Sequence, residues 1–214
     1  DELPDFARRL KWFLEYKPEL AALVSSWEAP GMGERRLLSL LRGHRMKRLL
    51  RRMLDETEFL SEFGVRAISC FHKDNPYVFD APGGALSVAY QPAESNSGLF
   101  GGNSNWRGPI WFPVNYLLVE SLQKFHHYYG DDFRIECPVG SGRMVTLAEA
   151  AAEVSRRLTR IFLKDESGRR PLLRAHAKTH DDPHFRDHVL FHEYFDGDNG
   201  RGVGASHQTG WTGL

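Results

Sequence analysis

A surplus of charge of one sign is missing: 28 Lys and Arg meet 28 Asp and Glu in 214 residues. A nucleic-acid binder needs a basic excess to displace counterions from phosphates, so no nucleic-acid partner is expected. The one basic concentration, Arg42 to Arg52, reads as a solvated helix face. Cysteine is scarce. Cys70 and Cys137 cannot make a disulfide framework and lack metal-ligand spacing; they fit a reducing, cytoplasmic setting, with a single bridge left open. No apolar run approaches the roughly 20 residues of a membrane span, and no membrane partner is expected. A P-loop, a dinucleotide glycine fingerprint and a G-x-S-x-G elbow are all missing, and no cofactor is expected. No segment repeats at a fixed period. The chain opens at Asp1 without Met and closes at Leu214 just as a new element begins, so it reads as a portion of something longer.

What is present is an ordinary globular composition, 41% hydrophobic and 26% charged, enough for a sizeable core. Apolar residues from Phe6 to Trp27 follow the helical period, with a break at Pro18. A second helical stretch is expected over Glu34 to Phe63, interrupted near Gly43-His44 and capped by Gly64. Residues 65–112 are rich in Gly, Pro, Asn and Ser yet hold many aromatics, which marks an ordered functional loop. Pro113 to Tyr129 is the clearest helix, with Val114, Leu117, Leu118, Ser121, Leu122, Phe125 and Tyr128 on one face. A hairpin is expected from Phe133 to Val145. Thr146 with Glu149 then spells a capping box for a helix to Leu163. His207 to Leu214 starts a last helix. Helix pairs joined by long loops favour an all-α architecture with its site at the loop ends.

Three stretches could carry chemistry. In GGNSNWRGPIWFP, Asn103, Ser104 and Asn105 offer hydrogen bonds while Arg107 stands between Trp106 and Trp111. Sugars show hydroxyl edges and weakly apolar faces, and a sugar site wants that mixture. Core tryptophans with Arg107 as an ion-pair partner fit equally well. In HEYFDGDN, Glu193 lies between an apolar run and a glycine loop. A carboxylate at a core edge is either a general acid/base or an ion-pair partner. Asp196 and Asp198 lack full calcium-loop spacing. In GASHQTGWTGL, His207, Gln208 and Trp211 could form a second wall, or a helix start capped by Ser206. His176, His180, His184, His188 and His192 recur every four residues, but Pro183 interrupts any continuous helix, and no metal is expected.

These stretches, in this order, resemble glycoside hydrolase family 63, which includes processing α-glucosidases and mannosylglycerate hydrolases and is distantly akin to trehalases. The resemblance is most specific in GGNSNWRGPIWFPVNYLL and HEYFDGDNGRGVGASHQTGWTGL, and looser in SSWEAPGMGERRLLSLL and AESNSGLF. It implies an all-α fold, part of an (α/α)6 barrel of twelve helices. Residues 1–214 would then form the C-terminal portion of one catalytic domain, with a short β-hairpin. It also implies inversion: one carboxylic acid protonates the leaving oxygen while a carboxylate roughly 6.5–9.5 Å away activates water. Glu193 matches the general base. Trp106, Arg107 and Trp111 match the pocket motif and Trp211 its far wall, with Asn103, His207 and Gln208 as further substrate contacts. The implied substrate is an oligosaccharide or small α-glucoside. The family's general-acid aspartate finds no counterpart among Asp5, Asp55, Asp74 and Asp80, so this portion alone is expected to be nearly inactive. Missing barrel helices would expose apolar surface and favour self-association. A non-catalytic carbohydrate-binding piece and a helical scaffold with an Arg107–Glu193 ion pair remain as alternatives.

Overall fold

The Thr146 side chain accepts the backbone N–H of Glu149, and Glu149 returns a bond to the N–H of Thr146 at 2.7 Å. This reciprocal cap opens α5, Leu147–Arg160. Its buried residues Leu147, Ala150, Ala151, Val154 and Leu158 recur at three and four, so one stripe faces inward. That stripe packs on α4, Phe112–Tyr129, which begins at Trp111 with Pro113 in its first turn. A computed structural model describes residues 3–22, 24, 29–98, 105–174, 177–208 and 210.

The remaining α-helices among the described residues are α1, Pro4–Tyr16; α2, Pro18–Ala21; α3, Gly43–Met53; and α6, Ala177–Asp181. Four antiparallel two-stranded sheets accompany them: β1 with β2 (Leu60–Ser61, Gly64–Val65), β3 with β4 (Tyr77–Ala81, Gly84–Val88), β5 with β6 (Arg134–Glu136, Met144–Thr146) and β7 with β8 (His192–Phe195, Gly202–Ser206). The core joins Met46, Leu50 and Met53 of α3 to the α5 stripe, with Leu54, Leu60, Phe63, Ile110, Leu122, Leu172, Leu173 and Phe195.

Several sequence expectations change. The stretch 34–63 is α-helical only over α3, and Gly43 opens that helix rather than interrupting it. Beyond Met53 the chain turns back through β1 and β2, and Gly64 lies in a strand rather than at a helix end. Buried Arg157 secures the reversal: its guanidinium donates to Ser61 O at 2.8 Å, Glu153 Oε1 at 2.9 Å and Glu56 Oε1 at 2.7 Å. On α4, Asn115 and Leu122 point inward while Val114, Tyr116 and Leu117 are exposed, so the buried face is rotated from the expected one. Residues 65–112 contain the β3–β4 hairpin. Residues 202–204, expected within a glycine-rich stretch from Gly197 to Gly204, belong to β8, and so does Ser206, the alternative helix cap. Of the helix expected from His207, positions 209 and 211–214 lie outside the described residues.

Candidate functional site

Backbone pairing brings the separated motifs together. Ile110 and Phe195 exchange both bonds, N–H to O at 2.8 and 3.0 Å, which joins the tryptophan segment to the end of β7. A third segment, 90–93, is tied to both. Gln91 N donates to Arg107 O at 2.7 Å, and Gly197 N donates to Pro92 O at 2.9 Å. The three run so close that a Cβ on Gly108 would stand 2.5 Å from Gln91 O, and one on Gly197 2.6 Å from Gly108 O. Only glycine fits such an approach.

The seam carries an aromatic column. Trp106 stacks on Trp111 with centroids 3.9 Å apart and planes 2° from parallel, and Trp111 stacks on Tyr194 at 4.9 Å and 23°. Trp111 is 1% exposed and its indole N–H donates to Asn105 O at 3.0 Å, whereas Trp106 is 37% exposed. The outer indole can therefore meet a ligand, and the inner one supports it.

Arg107 is buried beside the column. Its backbone N–H and Nε both donate to Asn105 Oδ1, at 3.0 and 3.3 Å, and its guanidinium also donates to Ser97 Oγ at 2.9 Å and to Ser95 Oγ. Among the described residues these bonding partners are neutral, and burial pulls the guanidinium below its ordinary pKa. Asn105 is fixed in turn by donating from Nδ2 to Gln91 O at 2.7 Å and Ala93 O at 2.6 Å.

Glu193 is half-buried in β7. Gln208 Nε2 donates to its Oε2 at 3.4 Å. The Tyr194 phenol is pushed up first by burial and then by the Glu193 charge, so the carboxylate is felt at the Tyr194 end of the column. His207 is exposed with φ 55°, and its N–H donates to Phe191 O at 2.7 Å, extending the β7–β8 pairing. Asn103 and Trp211 lie outside the described residues.

The DGDN turn beyond Phe195 is held by Asp196, which accepts the N–H groups of Asp198 and Asn199, at 2.9 and 3.3 Å, and the Asn199 side chain at 2.9 Å. Tyr90 donates to Asp198 Oδ1 at 2.6 Å and accepts from Arg66 Nε at 3.1 Å; burial first, then that bond to Asp198, pushes its phenol up. Of the histidine series, His180 lies in α6 and His192 in β7, with His176 outside the described residues. A hollow of about 540 Å³ beside the β3–β4 hairpin is lined by Phe59, His72, Tyr77 and Phe79 among others, and none of its described lining residues is an expected site residue.

Asn105 makes the hydrogen bonds expected of its stretch, whereas Ser95, Ser97, Tyr194 and Gly204 belong to this assembly but were not among the expected site residues. The motifs AESNSGLF and HEYF contain three of them, and only the stacking and the Arg107 bonds reveal their parts.

Comparison with known proteins places residues 36–212 in the mannosylglycerate hydrolase MGH1-like glycoside hydrolase domain family. The chain is also 51% identical over 212 residues to an uncharacterized Saccharomyces cerevisiae protein, an alignment covering 98% of this chain and 20% of that relative. The chain thus spans about a fifth of the relative it matches.

Proposed function

Because the chain belongs to the mannosylglycerate hydrolase MGH1-like glycoside hydrolase domain family, we propose that it supplies the general base and one wall of the sugar pocket in an inverting α-glycosidase. Glu193 takes a proton from water as the water oxygen attacks the anomeric carbon. The bond to the leaving oxygen breaks, and that oxygen takes a proton from a carboxylic acid supplied by another part of the polypeptide. The exposed face of Trp106 stacks on the sugar, and Trp111 and Tyr194 stiffen it from behind. Arg107 orders the loop of Ser95 and Ser97 at the pocket edge. The substrate is an oligosaccharide or small glucoside with an α-glucosidic bond.

The single observation that carries this reading is the joining of Glu193, Gln208 and the Trp106–Trp111–Tyr194 column by the Ile110–Phe195 pairing. The enclosing architecture is an (α/α)6 barrel to which this chain contributes its last helices. The apolar exposure of Val114, Tyr116 and Leu117 on α4 supports further elements beside it, and favours self-association when the chain stands alone.

Glu193→Gln in the full-length polypeptide is expected to abolish hydrolysis of α-glucosides with the fold retained, and proton NMR of the wild-type reaction is expected to find the β-anomer formed first. Substantial activity in Glu193→Gln removes Glu193 from the role of base, and an α-anomer formed first removes inversion.

A further inference from the structure

The ladder between β7 and β8 pairs His192 with Ser206 and Tyr194 with Val203, so one residue, Glu193, faces two, Gly204 and Ala205. This is a β-bulge, which adds twist and re-aims the side chain opposite it. Gly204 has φ +72°, in the left-handed region that glycine adopts without cost. A Cβ at position 204 would stand 2.8 Å from Glu193 Oε2, 3.2 Å from Glu193 Cβ and 3.0 Å from Tyr194 Cε1. The neighbouring strand glycine does the same for the preceding side chain: a Cβ on Gly202 would stand 2.2 Å from His192 Cδ2, and His192 Nδ1 lies 3.4 Å from Gly204 O. Two successive side chains of β7 therefore each rest against a bare Cα of β8.

Building on the reading of Glu193 as base, we propose that Gly204 is a positioning residue, whose missing side chain and left-handed backbone set where the Glu193 carboxylate stands. Gln208 holds Oε2 from one direction and the Gly204 Cα bounds it from another. Gly204 is exposed, and an added methyl group meets the Glu193 carboxylate most closely, at 2.8 Å, with the edge of the buried Tyr194 ring next at 3.0 Å. What yields to it first is the terminal carboxylate of Glu193, the nearest contact, which moves away from Gln208. A base displaced on the order of 1 Å from attacking distance costs about 100-fold in rate, while the atoms nearest the added Cβ belong to Glu193 and Tyr194 rather than to Trp106, which stacks on the sugar.

The test uses the full-length polypeptide and α-glucosyl fluoride, whose fluoride leaves with little acid assistance and so reports on the base, followed with a fluoride electrode. Gly204→Ala and Gly204→Asn are compared with wild type and Glu193→Gln, with thermal unfolding of each. Asn tolerates the left-handed backbone while keeping the Cβ, so it separates the side-chain clash from backbone strain. Both glycine variants are expected to lose about 100-fold in kcat with KM changed less than about threefold, and Gly204→Asn keeps a melting temperature near wild type. Wild-type kcat in Gly204→Asn, or a rise in KM accounting for the lost kcat/KM, overturns the positioning role. Glu193→Gln as active as wild type overturns the catalytic reading itself. An inactive Glu193→Gln beside fully active Gly204 variants overturns only the present proposal.

Discussion

Trp106 lies flat on Trp111, their planes 2° from parallel and their ring centroids 3.9 Å apart, yet only Trp106 reaches solvent. The two indoles share a contact and divide its consequences. Trp106→Ala removes a stacking surface worth about 1 kcal/mol and should raise KM for an α-glucoside several-fold, with little change in stability. Trp111→Ala opens a cavity where a 1% exposed ring stood and should cost about 4 kcal/mol of folding stability. Kinetics and denaturant unfolding of both variants check this division; a Trp111→Ala variant as stable as wild type would refute the packing account.

Asn115 acts as a short length of strand built from a side chain. Its Oδ1 accepts Val65 N–H at 2.8 Å, and its Nδ2 donates to Val65 O at 2.9 Å and Trp111 O at 3.0 Å. Asn115→Leu keeps the volume but leaves three buried backbone groups without this partner. A loss of roughly 3 kcal/mol is expected in denaturant titration, and a neutral result would show that those groups find other partners.

Burial opposes the ionisation of Glu153, but hydrogen bonds from Arg156 and Arg157 outweigh it and hold the carboxyl at about 2, below its ordinary 4.5. A depressed folded value means that the contribution to stability is whole above about 4.5 and is lost as pH falls towards 2. Glu153→Gln should be less stable than wild type at pH 6 by roughly 3 kcal/mol, since it leaves buried Arg157 short of a partner. Its stability should also fall less steeply between pH 4.5 and 2. Urea midpoints across that range decide the matter, and equal slopes for the two proteins would rule Glu153 out as the group responsible.

Where the sequence was legible, local chemistry decided the structure. Pro113 in the first turn of α4 and the Thr146–Glu149 cap of α5 act within four residues, and both helices start within one residue of the expected place. The hairpin of residues 133–145 was equally local. The stretch 34–63 misled because Leu60 and Phe63 are buried by distant partners, while Leu38, Leu40 and Leu49 stay exposed. Leu60 and Phe63 enter the core on a reversing chain fixed by Arg157, ninety-six positions from Ser61. The site divides in the same way. Glu193 and the WRGPIW motif stand out as residue types, but Tyr194 beneath Trp111 and Gly204 beneath Glu193 become meaningful only once β7 is paired with β8 and with Ile110.

The two bonds between Ile110 and Phe195 use main-chain groups alone, so they are blind to which side chains stand on either flank. Close to this rivet the chain is less tolerant, because Gly108 and Gly197 leave no room for a Cβ against the neighbouring main chain. Proline at 110 or 195 would remove an amide hydrogen and with it one of the two bonds, parting halves that another apolar residue at the same position would leave riveted.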